Sequence, residues 1–499
     1  MHARRWLRFF PASTAGAVAL VLSISGGASS TQSVATTLTP PTFSAPQELP
    51  DQTGTGGSLT GGEPSLTIDV VNGITHVYVS SPIGVPAIAG QLTGGATCGN
   101  GAAFWRSADG AGSFSPGQCI GSGLGGGDDS TAVTPNHNLY LADLEAVASA
   151  VCKSTDLGAT FTSGNGIGGC TQLVTDQTGP EDDRPWLTGG PQNQLYFTYH
   201  DFAFGLPLIE RSDNAGSTFL PCGSILQPGS AAMTNYSPAE GTLVADPAID
   251  RAGNLYVEVS EPSNTNTSQQ FPLTHLFMAV GKGGCNKGTV FKDSTIYANS
   301  GANLGNIFDA VAVDGGGTIY VVAAGQTTSA SKTSDVWLFT SHDGGTTWSA
   351  PVQVNAPGLT ANAMPAIVGG PVAGQVAVGW YGSSTSNTPD DTNDVWNYYV
   401  ATSTQGGLPG TFGQAQVTPT PFHFGDICTE GVFCGMPGFP SNRNLLDFTS
   451  LGVDPLTGCV VAAMPGDPYN TFAVQAAGKG TGNSSVYVAR QTGRCFATS

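Results

Sequence analysis

One eight-residue pattern recurs along this chain and constrains its fold more than any other feature. It reads Ser-x-Asp-x-Gly-x-Thr-aromatic, and its cleanest copy is SHDGGTTW, Ser341 to Trp348. STDLGATF (154–161) also fits. SDNAGSTF (212–219) carries Asn214 in the Asp place, and SADGAGSF (107–114) has its Gly shifted by one. Three looser copies keep the register: AVGKGGC from Ala279, STQGG from Ser403 running on to Thr411-Phe412, and ARQTGRCF from Ala489 to Phe496. The pattern suits a tight turn between antiparallel strands. Asp109, Asp156, Asn214 and Asp343 can accept from backbone N–H groups of the turn, Gly takes the positive-φ place, and the aromatic opens the next strand. These positions are expected to be structural.

A second pattern lies upstream of each copy. An acid or Pro opens an apolar strand, and a Gly/Asn turn leads into a second strand, as in EPSLTIDVVNGITHVYV (63–79) and DPAIDRAGNLYVEV (246–259). Strand, hairpin, strand, loop, strand, turn, strand describes a four-stranded meander, and it occurs seven times. Repeated meanders that cannot bury their faces alone stack radially, which predicts an all-β, seven-bladed β-propeller of four-stranded antiparallel blades. The seventh turn ends at Phe496, so the last blade lacks an outer strand of its own. TFSAPQEL (42–49) resembles TTWSAPVQV (346–354), the strand that follows the cleanest turn. It is expected to complete the seventh blade and close the ring.

Residues 1–31 read as a secretory signal: Arg4, Arg5 and Arg8, an apolar stretch from Ala15 to Ile24, then small residues. The apolar run is too short to span a bilayer. Residues 32–60 form a Thr/Pro/Ser-rich segment that contains the closing strand, and 61–499 form the propeller. Ten Cys in an exported chain predict disulfides. Neighbour pairing gives Cys98–Cys119, Cys152–Cys170, Cys222–Cys285, Cys428–Cys434 and Cys459–Cys495. Without the signal, 13 basic residues face 35 acids, a net charge of −22. Such a surface should bind neither nucleic acid nor anionic lipid. A secreted monomer is expected. Sequons stand at Asn235, Asn266 and Asn483.

The turns, one per blade between the third and fourth strands, resemble the Asp boxes of the sialidase superfamily, the bacterial-neuraminidase-repeat propellers. The resemblance covers nearly all of the chain after its leader. It implies a propeller that acts on or binds glycans, with a glycoside hydrolase of exo-sialidase type as the enzymatic form and a non-catalytic binding propeller as the alternative. Sialidases hold substrate with three Arg, the first in a Phe/Tyr-Arg-Ile-Pro motif. That motif is absent here, and the nearest fragment is DDRPW at 182–186. Sialidases have six blades, so a six-bladed ring is the alternative to seven.

Six of the seven units carry an acid where the innermost strand begins: Glu63, Asp129, Asp183, Asp246, Asp309 and Asp447, with Met364 breaking the series. Such a ring would surround one mouth of the channel. It would either solvate strand ends or hold a hard cation such as Ca²⁺, for which Asp129, Asp183, Asp246 and Asp309 are the candidate ligands. No cofactor is required. The segment FHFGDICTEGVFCGMPGFPSNRNLLDF (422–448) enlarges the last unit and gathers His423, Asp426, Glu430 and Arg443. Asp183, Asp426 and Glu430 are the candidate acid/base carboxylates. Arg184, Arg443, Trp186, Tyr199, His200 and His423 are the candidate glycan contacts, offering aromatic faces to C–H surfaces and charges to hydroxyls or carboxylates.

Overall fold

The computed structural model describes residues 39–50, 61–82, 102–120, 127–145, 148–161, 170–172, 182–201, 206–222, 225–227, 229–230, 232, 243–262, 272–305, 308–429, 434, 442–479 and 484–498. Thirty-one strands and one short helix, α1 (Phe472–Ala476), cover them, and the strands fall into seven antiparallel sheets. Blade I holds β3 (Ser65–Val71), β4 (Ile74–Ser81), β5 (Ala102–Ser107) and β6 (Gln118–Ile120). Blade II holds β7 (Asp129–Val133), β8 (Leu139–Glu145), β9 (Ala148–Ser154) and β10 (Cys170–Gln172). Blade III holds β11 (Asp182–Gly189), β12 (Leu195–Asp201), β13 (Leu206–Ser212) and β14 (Leu220–Pro221). In blade IV the inner strand is split into β15 (Leu243–Val244) and β16 (Ala248–Ile249), both paired with β17 (Leu255–Pro262); β18 (Leu273–Gly281) and β19 (Lys292–Ala298) follow. Blade V holds β20 (Ala310–Val313), β21 (Ile319–Gly325), β22 (Asp335–Ser341) and β23 (Val352–Gln353). Blade VI holds β24 (Ala361–Gly369), β25 (Val376–Ser383), β26 (Val395–Ser403) and β27 (Gly413–Gln416), with β28 (His423–Phe424) also on β26.

Blade VII shows how the ring closes. β29 (Ser450–Val453), β30 (Val460–Gly466) and β31 (Ser485–Gly493) come from the C-terminal end, and β1 (Thr42–Phe43) and β2 (Gln47–Glu48) add the outer edge. Thr42 pairs with Gly493, and Gln47 with Val488. The expected single strand over 42–49 is two short pieces, with a register irregularity between Thr42 and Phe43. The blade count is seven, not six.

Seven of the eight apolar clusters lie one between each successive pair of blades. The cluster between blades VII and I joins Val461 and Val486 to Leu66, Val77 and Trp105, and Leu49 of the closing segment completes it. The eighth sits on the axis and joins Trp186, Leu273, Phe308 and Phe448. Radial packing is thus continuous around the ring, which is why four-stranded meanders that would be marginal alone hold together.

The repeated turns have the geometry their residue types predict. Asp109 Oδ1 accepts from Ser107 Oγ at 2.7 Å and from the N–H groups of Gly112 and Ser113, both at 2.9 Å. The same pattern links Asp156 to Ser154 and Thr160, Asn214 to Ser212 and Thr218, and Asp343 to Ser341 and Thr347. The shifted glycine of blade I leaves Ala111 at φ 64°, where Gly158 and Gly216 stand in blades II and III at 73° and 77°. The turns also serve blade-to-blade packing: a Cβ on Gly158 would sit 2.9 Å from Phe104 of blade I.

Cys152–Cys170, Cys222–Cys285, Cys428–Cys434 and Cys459–Cys495 are bonded, as neighbour pairing predicts. Cys119 is disulfide-bonded, and Cys98, the expected partner, lies outside the described residues. No described helix is long and apolar enough to cross a membrane.

Candidate functional site

All innermost strands begin on one face of the ring, called upper here, and four of them begin with unusual backbone. Glu63, Arg184, Met364 and Leu446 have φ of 45°, 55°, 56° and 59°. Three of them precede a proline, and the pairing registers of β11 and β24 shift at this point. Non-glycine residues in this region are strained by about 1–3 kcal/mol each and persist only when their surroundings hold them. The surroundings are plain for Arg184 and Glu63, whose side chains bond to each other. Met364 is fully buried in the core between blades VI and VII, which explains why an apolar residue interrupts the acid series.

Arg184 sits at the centre of the channel mouth with 7% of its side chain exposed. Nη1 donates to Glu63 Oε1 at 3.0 Å, Nε faces Asp128 Oδ2 at 3.4 Å, and Nη2 donates to Asp447 Oδ2. Arg443 reaches the same Asp447 from the rim, Nη1 to Oδ1 at 2.5 Å and Nη2 to Oδ2 at 2.9 Å, and approaches Glu63 at 4.0 Å. Two cations and three carboxylates from blades I, II, III and VII therefore tie the blades together at the mouth. Beneath them the Arg184 guanidinium lies 4.6 Å from the Phe308 ring, and Trp186, Phe308 and Phe448 pack edge to face. A buried guanidinium is stable here because each N–H direction finds an anion.

Below this layer the channel holds a cavity of about 130 Å³, lined among others by Leu66, Trp186, Asp246, Phe308, Asp309 and Phe448. Asp246 is open to the channel, yet protein surrounds it. Burial pushes its carboxyl up to about 7, against the hydrogen bond from Thr188. Asp309 is buried, and burial raises it well above the carboxylate range even though Ser260 donates to it. Asp129 is raised by burial and by Asp143, Glu63 and Asp128, with Ser80 opposing.

The expected ring of acids is therefore not one set. Glu63 and Asp447 serve Arg184, Asp309 faces β17, and Asp129 lies in the wall of blade II. The backbone of Asp183 pairs with His200 in β11 and β12. Among the described residues no group of three or more His, Cys, Asp or Glu side chains could hold a metal ion. Glu430 lies outside the described residues, as do the sequon asparagines Asn235, Asn266 and Asn483. Tyr199 is 1% exposed and packs against Phe197 in the core between blades II and III, and His200 beside it is buried too.

The described parts of the insertion, 422–429, 434 and 442–448, and the loop 467–479 form one unit on the upper face of blades VI and VII. Buried His423 places Nδ1 2.7 Å from Asp467 Oδ1 and Nε2 3.1 Å from the Asp426 carbonyl oxygen. Asp467 Oδ2 accepts from Asn444 at 2.8 Å and Asn470 at 3.1 Å, and Asp426 Oδ2 accepts from Asn442 N–H at 2.7 Å. His423, Asp426 and Arg443 are thus brought together, with His423 and Asp426 fastening the platform from inside. On its surface Tyr469 and Phe472 are exposed, 44% and 37%, and Phe472 meets Phe424 edge to face at 5.5 Å. Sequence reasoning passed over both aromatics. The available signal was PYNTF (468–472), aromatics in a polar loop directly after a buried strand.

No protein-family model matches the sequence, and no curated protein is similar to it. Solved structures are similar in fold. An ulvan lyase of polysaccharide lyase family PL25 aligns with a TM-score of 0.46 at 11% identity, over 86% of this chain and 92% of that one. A protein of unknown function from Dyadobacter fermentans aligns at 0.45 and 11%, over 90% and 99%. The phage phi92 endosialidase aligns at 0.44 and 11%, over 92% and 70%.

Proposed function

We propose that the protein is an extracellular glycan-directed propeller that recognises its ligand on the upper rim of blades VI and VII. One observation carries this reading: exposed Tyr469 and Phe472 stand on a platform that the buried His423–Asp467–Asn444 network holds rigid, with part-exposed Arg443 next to Asn444. Aromatic faces suit the C–H surfaces of sugar rings, and amides with a guanidinium suit their hydroxyls. Four disulfides support an oxidising compartment, and the turn geometry supports kinship with the Asp-box propellers. Recognition is favoured over cleavage of the sialidase type because Arg184, the cation nearest the family's clamp in sequence context, is taken up by Glu63, Asp128 and Asp447. We take the protein to act as a monomer that needs no cofactor.

A glycoside hydrolase is the second reading, and Asp246 favours it. A carboxyl facing the channel with a pKa of about 7 is half protonated near neutrality and suits a general acid. One experiment separates the two. The purified protein is mixed with sialosides, uronic-acid polysaccharides and neutral glycans; binding is followed by calorimetry and release by mass spectrometry. Binding without release, lost in Phe472→Ala and Tyr469→Ala, supports recognition. Release that survives those two changes but not Asp246→Asn supports hydrolysis. Neither binding nor release from any class removes the glycan reading.

A further inference from the structure

The wall of the channel contains a hydrogen-bond network that is short of one proton. Ser260 Oγ lies 2.9 Å from Glu258 Oε1 and 3.0 Å from Asp309 Oδ2. Glu258 and Ser260 are two apart on β17 of blade IV, so alternation puts them on one face. Asp309 immediately precedes β20 of blade V. All three are buried, at 1%, 1% and 5% exposure. A hydroxyl carries a single hydrogen and can donate to only one of two carboxylates. The second contact is a hydrogen bond only if that carboxyl itself carries a proton. With both ionised, two like charges would share a site without water and leave a contact unmade.

We infer that blades IV and V are joined by a proton shared among Glu258, Ser260 and Asp309, and that this junction is intact in acidic to neutral medium and opens in alkaline medium. Among the described residues no ion pair brings a cation to Glu258 or Asp309. Glu261, three residues along β17, is fully buried with both carboxyl oxygens unpartnered among the described residues, and its neighbour Asp293 on β19 is also acidic. His275 stands opposite Glu261 on β18 and hydrogen-bonds Thr274. Asp246 belongs to the link between β15 and β16. Arg184 stacks on Phe308, one residue before Asp309, but is bound by Glu63, Asp128 and Asp447. Burial raises both carboxyls of the pair, and the charges of Asp309 and Glu261 raise Glu258 further, which agrees with the proton count.

Two isosteric changes supply the missing hydrogen permanently. In Glu258→Gln the amide N–H donates to Ser260 Oγ, whose hydroxyl then donates to ionised Asp309; Asp309→Asn does the converse. The full chain is melted from pH 5 to pH 9.5. The wild type should lose melting temperature steadily as pH rises, and both variants should lose less, overtaking the wild type at the alkaline end. Equal slopes in wild type and a folded variant would overturn the inference. A measurement on the unaltered protein stands beside these: amide exchange, corrected for its intrinsic pH dependence, should lose protection in β17 and β20 at lower pH than in β30 and β31. Loss at the same pH in both regions would overturn it equally. The inference does not rest on glycan binding, and neither assay involves a ligand.

Discussion

Truncating the closing segment tests the ring most directly. Leu49 is 6% exposed in the cluster between blades VII and I, and Phe43 is half-buried against the cluster between VI and VII. Leu→Ala at a buried site costs about 2–5 kcal/mol, and the lower end applies to a strand end that can relax. A half-buried Phe contributes about half of a full side-chain burial, roughly 1–1.5 kcal/mol. The two touch different clusters, so the costs add to about 3–4 kcal/mol. For a chain of this length, unfolding entropy at roughly 2 cal/mol/K per residue converts that into a fall of about 3–4 °C if the ring melts as a unit. Deleting 39–50 removes more. Besides the pairing of β1 and β2 with β31, further hydrogen bonds go too, among them Ser44 N–H to Arg490, Leu49 N–H to Val486, Arg490 N–H to Ser44 Oγ, and those of Trp105 Nε1 and Gly117 N–H to Pro50. The assay is calorimetry beside limited proteolysis, with Leu220→Ala as control, since Leu220 is 68% exposed. A Leu49→Ala/Phe43→Ala variant that melts within a degree of the control, with no new cleavage in blade VII, would refute closure by this segment.

Other outcomes are as specific. Arg184→Leu should cost about 3–5 kcal/mol in a melt, because Glu63 and Asp128 lose the guanidinium they face at the buried mouth and Asp447 keeps only Arg443; Arg184→Lys should recover little, since a point charge cannot serve three directions. Replacing Cys222 and Cys285 by Ser should cost about 4 kcal/mol, against about 2 for Cys428 and Cys434, because the closed loops span 63 and 6 residues; equal losses in denaturant titrations would reject the loop argument. Stability should peak near pH 4–5. Burial and the charge of Asp293 push Glu261 up to about 9, and burial pushes Asp246 up to about 7, so their contributions, complete below the unfolded value near 4, fade as pH rises toward those values. Burial would raise Asp109, but Ser107, Ser113 and Gly112 outweigh it and hold it at about 2, so its contribution is lost as pH falls from about 4 toward 2. A melting profile flat from pH 3 to 9 would contradict both.

Local chemistry was legible in the sequence, and chemistry assembled across blades was not. SHDGGTTW states its turn by residue type alone, and TFSAPQEL announces its place because a complete copy exists in blade V. Cys152 and Cys170 pair because a meander keeps them within one blade, directly opposite on β9 and β10, whereas Cys222 and Cys285 bridge blades III and IV. Arg184 reads as a cation at a channel mouth, which is correct. Its three anions come from positions 63, 128 and 447, and no spacing in the chain reveals that they converge. The acid ring was inferred from equivalent positions, yet equivalent backbone did not give equivalent surroundings: Asp246 faces the channel and Asp309 faces Ser260 of the preceding blade. Tyr199 is carried into the core despite its YHDF setting, since its strand position, on the same face as buried Phe197, outweighed its polar neighbours.

The last blade also fixes where the described chain starts and stops. Thr42 pairs at the lower end of β31, Thr39 lies against Gly413 at the lower end of blade VI, and Phe496 packs on the lower hairpins at Gly370 and Gly458. Residues 39 and 498, the first and last described, therefore both lie beneath the ring, on the side away from Tyr469 and Phe472. A fusion partner, an affinity handle or a surface linkage joined directly to residue 39 or residue 498 would present the aromatic platform outward. New ends cut into the hairpin after β3, with the old ones joined beneath blade VII, should give a permuted chain that folds to the same ring.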